Sequence, residues 1–148
     1  MKRLVPLFIL FFLLGMSQLS FAQQDPLIGK WKTIDDETHE PKSIVEIYMK
    51  DGKFYGRIDS LFRKPGEDPN PICDKCPDDD PRKNKPVKGM VIIKDMVKKG
   101  NEYVGGNILD PKKGKIYKCK LWLDGNDKLK VRGYILFLHR TQTWYRVK

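Results

Sequence analysis

Beyond the first two dozen residues, apolar and polar side chains alternate in short runs, and almost nothing repeats at helical spacing. Val45, Ile47 and Met49 fall on one side of an extended segment, and Phe54, Gly56 and Ile58 on one side of the next. Tyr117, Cys119, Leu121 and Leu123 share a face, with Lys118 and Lys120 opposite; Leu129, Val131, Gly133 and Ile135 repeat the pattern. A period of two marks a strand with one side in a core and the other in water. Strands are predicted at 28–35, 43–50, 53–62, 89–96, 101–109, 115–123, 128–136 and 141–147.

The joints between these runs carry turn chemistry. Asp51-Gly52 sits where a two-residue hairpin turn belongs. Lys99-Gly100-Asn101, Asp110-Pro111-Lys112-Lys113-Gly114 and Asp124-Gly125-Asn126-Asp127 join later pairs. A single turn is predicted at Asp25-Pro26-Leu27-Ile28, its proline in the first position. Consecutive hairpins pair each strand with its sequence neighbour, and a closed ring of them leaves no edge exposed. The expected fold class is all-β, an eight-stranded antiparallel up-and-down barrel. Such a barrel is either filled by side chains or holds one small ligand.

Closure has its own candidates. Gly29 and Trp31 open the first strand, and Arg146 ends the last. First and last strands are neighbours in a closed sheet, so the Arg146 guanidinium is expected to stack on the Trp31 indole, a cation–π contact of ~1 kcal/mol. Arg132 is the alternative partner.

The leader reads differently. Lys2 and Arg3 precede an apolar run from Leu4 to Leu14, and Ser20-Phe21-Ala22 supplies small residues before Gln23. This is the layout of a secretory signal peptide over 1–22. The run is shorter than the ~20 residues a spanning helix needs, so no transmembrane anchor is expected after cleavage. One domain over 23–148 follows, exported to the periplasm or beyond the cell.

Charge changes the picture little. The chain carries 29 Lys and Arg against 19 Asp and Glu, formally +10; the leader removes two positive charges and leaves +8. The lysines are scattered among acids, without an arginine-rich stripe, so nucleic acid is not an expected partner. Weak attraction to anionic envelope polymers fits.

Residues 63–88 break the rhythm with proline and charge, and they hold Cys73-Asp74-Lys75-Cys76. A loop this long in a compact domain is functional or disordered; the paired cysteines argue for partial order. Three readings compete for them. A local disulfide pins the loop, favoured by an oxidising compartment. A redox pair would want a helix N-terminus rather than prolines and aspartates. A zinc half-site would need two more ligands from Cys119, His39, His139 or the aspartates at 78–80. Cys119 alternates with inward residues and reads as a small buried hydrophobe.

No catalytic constellation stands out. His39 lies in an acidic surface loop and His139 near the last turn, neither beside a nucleophile in sequence. The carboxylates at 35–37 and 78–80 read as solvated loop charges, and Asp110 as a turn cap. There is no Gly-rich phosphate loop and no zincin motif. No enzyme, cofactor or metal is expected. Candidate ligand contacts are the mixed faces carrying Tyr55, Arg57, Arg132, Tyr134, Gln142 and Trp144, with Glu46, Tyr48 and Asp59 beside them. These faces are either the outside of the barrel or the lining of a pocket suited to a small amphipathic or anionic ligand.

Several segments together resemble a bacterial family catalogued as domain of unknown function 2147. They are Gly29-Lys30-Trp31-Lys32-Thr33, Ser43 to Tyr48, Asp51 to Ile58, the paired cysteines at 73 and 76, Gly106 to Pro111, Gly114 to Cys119, Leu129 to Tyr134 and Thr141 to Arg146. The resemblance covers essentially 25–148; the charged residues after Cys76 look like a variable insertion. It implies a small exported bacterial protein with a lipocalin-like (calycin-like) barrel and brings no activity with it. The leading expectation is therefore non-enzymatic binding of a small, partly apolar ligand. The alternatives are an envelope interaction module with a packed barrel and the Cys73–Cys76 loop as contact surface, or a thiol or metal function at that loop.

Overall fold

The computed structural model describes residues 22–148, so the predicted leader up to Phe21 lies outside the described residues. Eight strands follow one another: β1 Gly29–Ile34, β2 Pro41–Lys50, β3 Lys53–Leu61, β4 Val91–Lys99, β5 Glu102–Asp110, β6 Lys115–Asp124, β7 Lys128–Ile135 and β8 Leu138–Arg146. Each pairs antiparallel with the next, and β8 returns to β1, so the sheet is a closed barrel. The returning seam is short, with Trp31 opposite Arg146 and Lys32 opposite Tyr145.

All eight strands differ from their predicted bounds by one to three residues, and two of the differences have a clear cause. β4 begins at Val91 because Gly89 and Met90 still belong to the preceding loop, tied by backbone bonds to Ile58. β8 begins at Leu138, ahead of any alternation in the sequence, because Leu136-Phe137 makes a two-residue turn that puts Ile135 opposite Leu138. Backbone pairing, not side-chain pattern, carries that extension.

The predicted inward faces are the core. Trp31, Val45, Ile47, Phe54, Ile58, Ile93, Met96, Leu121, Leu129 and Trp144 are buried. Met49 is half exposed, because β2 runs past the end of the core there. The buried apolar residues of the described chain form one cluster running from Leu27 to Trp144.

One end is shut. Trp31 is fully buried and its indole N–H donates to the Leu27 carbonyl at 3.0 Å. The Arg146 guanidinium lies 4.2 Å from the centre of the indole ring. It also donates to the carbonyls of Pro26 (2.6 Å), Asn126 (2.6 Å) and Ile28 (3.5 Å). Gly29 has φ +141°, and a Cβ there would come within 3.1 Å of Arg146 Nη1; the left-handed half of the map and the close guanidinium both favour glycine. The alternative partner, Arg132, is elsewhere, stacked 4.9 Å from the Trp122 ring. The predicted turn at Asp25–Ile28 forms, closed by the Ile28 N–H on the Asp25 carbonyl. The Tyr103 hydroxyl and Lys98 ammonium both donate to the Asp25 carboxylate. Burial pushes that carboxyl up, but these donors and the Leu27 N–H outweigh it and hold it below the usual range.

The other end carries the β1–β2 loop, the long loop between β3 and β4, and the β5–β6 and β7–β8 turns. The long loop is ordered without regular secondary structure. Cys73 and Cys76 form a disulfide and are buried with Val87 and Met90. An Ile72–Pro86 bridge and backbone bonds joining Cys73 to Lys85 and Asn84 fold the loop back on itself. With both sulfurs bonded to each other, neither is a thiol or a zinc ligand, so the metal and free-thiol readings of the pair fall. Of the carboxylates expected as solvated loop charges at 78–80, Asp78 and Asp79 are exposed, but Asp80 is covered together with Arg82. Their carboxylate and guanidinium pair at 2.7 Å, almost wholly buried, and Arg82 also donates to the Val91 carbonyl.

Arg82 holds the Asp80 carboxyl down at about 2. A folded value below the unfolded one stabilises the fold above the unfolded pKa, and that contribution disappears as pH falls through the folded one. Asp80→Asn should therefore cost about 1–3 kcal/mol at neutral pH. The gap to wild type should close as pH falls from about 4 to about 2. Urea titrations across that range check it; a gap independent of pH would contradict it.

Candidate functional site

The barrel is not packed solid. Above the core an interior cavity of about 400 Å³ opens between the loops of the unshut end. Its depth is apolar, with Ile58, Ile108, Val131 and Trp144 among the lining residues. Polar groups interrupt this wall at few points. Thr33 and Ser43 share a hydroxyl–hydroxyl bond of 2.7 Å, and Tyr117 lines the opposite side. Their positions follow from strand alternation, Thr33 two residues past Trp31 and Ser43 two before Val45.

A polar chain leads from the interior to the rim. The Trp144 N–H donates to Gln142 Oε1 at 3.1 Å, and Gln142 Nε2 donates to Asp36 Oδ2 at 2.6 Å. Arg140 reaches the same oxygen at 3.3 Å. Asp36 is thus a rim anchor rather than a free loop charge. Asp35 accepts the N–H groups of Glu37 and Thr38, which holds its carboxyl below the usual range. Asp110 accepts those of Lys112 and Lys113, the capping role expected of it. At the mouth Lys42, Lys112, Lys113 and Arg140 face Asp35, Asp36, Glu37 and Asp110, so charges of both signs ring the opening.

The six candidate ligand contacts part company here. Gln142 and Trp144 line the cavity. Tyr55, Arg57, Arg132 and Tyr134 do not; they stand on the outer face. Arg57 pairs with Glu46 at 2.7 Å on the exposed surface and lies over the Tyr48 ring, which stacks on Tyr55. Arg132 donates to Thr141, and Tyr134 packs against His139. The reason is parity: the neighbours Phe54, Gly56, Val131 and Gly133 point inward, so these four point out. Tyr48 and Tyr55 border an outer groove with Arg82, Lys85, Lys88 and Lys94. Asp59 is paired with Lys30 on the surface.

Cys119 is buried and unbonded, and burial pushes its thiol up to about 12, which leaves it without a thiolate at neutral pH. His39 and His139 are exposed and far apart in the sequence. No group of three or more His, Cys, Asp or Glu among the described residues could hold a metal.

A family profile described as "Uncharacterized protein conserved in bacteria (DUF2147)" matches residues 29–146. The chain belongs to the DUF2147 family. The match begins at the glycine and ends at the arginine that shut the barrel. The barrel of this DUF2147 chain is similar to the solved structure of a Helicobacter pylori protein described as belonging to the lipocalin family. That likeness has a TM-score of 0.70 and 25% identity over 82% of this chain and 83% of the other. No curated protein matches the sequence. No helix among the described residues is long and apolar enough to cross a membrane. For this DUF2147 barrel, architecture and disulfide are therefore settled, and the cavity is the feature that bears on function.

Proposed function

We propose that the protein is an exported, non-enzymatic carrier that holds one small amphipathic molecule, apolar at one end and charged at the other, inside its barrel. The carrying observation is the cavity of about 400 Å³, apolar in its depth and ringed by charges of both signs at its mouth. Its size and its few convergent polar groups are those of a small-molecule site. The Trp31–Arg146 plug makes the opposite end impassable, so a ligand enters and leaves by the loops. The likeness to a lipocalin-family barrel supports the reading, as does a disulfide in a chain with a leader-like N-terminus.

Anilinonaphthalene sulfonate, an apolar dye with one negative charge, is a suitable probe. It should bind one per barrel with a rise in fluorescence and be displaced by a medium-chain carboxylate. Val131→Phe fills the cavity from a buried wall position and should weaken binding by about tenfold or more, ~1.4 kcal/mol. Failure of the wild-type protein to bind the dye, or equal binding by a folded Val131→Phe variant, would reject the carrier.

A further inference from the structure

The turn between β7 and β8 combines features that a merely connecting turn would avoid. Leu136 and Phe137 are 89% and 88% exposed, and Leu138 beside them 66%. Leu136 also has φ 53°, a conformation that usually goes to glycine or asparagine. A bare apolar tip on a strained backbone would be relieved by Asn-Gly at the same place. Its neighbours Ile135 and Leu138 form part of the cavity mouth.

Charges of both signs share this rim. Lys42, Lys112 and Lys113 stand with Asp35, Glu37 and Asp110, and Lys115 and Lys118 follow on the adjoining β6. None of the five lysines comes within ion-pair distance of a described carboxylate, and with Asp36 held by Arg140 and Gln142 they outnumber the three remaining rim acids by two. The tip is convex and small. Two side chains bury about 150–250 Å² each at most, far below the ~800 Å² per partner of a stable protein interface. An apolar point flanked by unpaired lysines suits a lipid–water interface instead, where the side chains enter the acyl boundary and the cations meet anionic headgroups.

We infer that the Leu136-Phe137 tip docks the open end of the barrel onto an anionic lipid surface, with the cavity mouth facing the bilayer. The inference goes beyond the carrier reading and does not need it, because dye binding and lipid binding are read separately.

Residues 23–148 hold the complete barrel and are the form to test, since the apolar run of the leader would bind lipid by itself. That form should sediment with vesicles of phosphatidylglycerol and phosphatidylcholine, less so as salt is raised, and poorly with phosphatidylcholine alone. The double variant Leu136→Asn, Phe137→Ser should bind the anionic vesicles about tenfold less or weaker still. Its thermal midpoint should be unchanged or higher, because asparagine accepts the positive φ. Phe137→Trp should shift its emission to the blue on adding the anionic vesicles. Absence of vesicle binding, equal binding by the double variant, or no shift at position 137 would overturn the inference. Self-association abolished by the double variant, without lipid binding, would overturn it too and assign the tip to a second copy of the chain.

Discussion

Replacing Trp31 by alanine should lower the free energy of unfolding by about 3–5 kcal/mol, a large part of the 5–15 kcal/mol typical of a single domain. The indole is fully buried, fills the shut end and donates to Leu27. Its removal leaves a cavity and also strips the Arg146 guanidinium of the surface it covers. Arg146→Lys should cost less, on the order of 1–2 kcal/mol, since an ammonium keeps the charge but cannot reach three carbonyls in a plane. Equilibrium urea unfolding, followed by far-ultraviolet dichroism, measures both. A Trp31→Ala loss below about 1 kcal/mol would mean that the plug is not what holds the seam.

The second large effect is expected at Gly114→Ala. Gly114 lies in the β5–β6 turn with φ +66°, and a Cβ there would collide with the carbonyl of Lys75, inside the disulfide ring. Alanine thus meets an unfavourable backbone conformation and a wall at once. The expected loss is on the order of 3 kcal/mol. The wall belongs to the disulfide-pinned loop, so the loss should shrink by about 1 kcal/mol or more when Cys73→Ser and Cys76→Ser release it. Thermal and urea unfolding of the four proteins in this cycle gives the coupling. Strict additivity would show that the loop does not bear on the turn.

These two positions illustrate what a sequence can carry. The plug was legible because closure of a meander forces the first and last strands together, and both ends held the residue types that closure needs. The strands were legible because period two leaves no other reading for runs such as Tyr117 to Leu123. The contact at Gly114 was not, since it joins a turn to a loop nearly forty residues away, and no local pattern encodes that proximity. The outward placement of Tyr55, Arg57, Arg132 and Tyr134 was encoded in parity alone. Both readings of those faces were open until the buried sides of β3 and β7 were fixed. The Asp80–Arg82 pair looked like surface charge because burial of an ion pair depends on what the loop covers, not on its composition. Leu136-Phe137 shows the converse: nothing in the sequence marks this apolar pair as a turn tip, and they are the most exposed of the large apolar residues described.

The two rims of this barrel have divided the labour. The β1–β8 seam is sealed at the rim with the indole and guanidinium, while the four connections around the mouth set the shape of the gap. Change at the mouth is tolerated away from Gly114 and the Asp80–Arg82 pair, and change at the base unseats the seam. On the carrier proposal, relatives built on the same staves are free to diverge in cargo, so identifying what one of them holds would say little of the others.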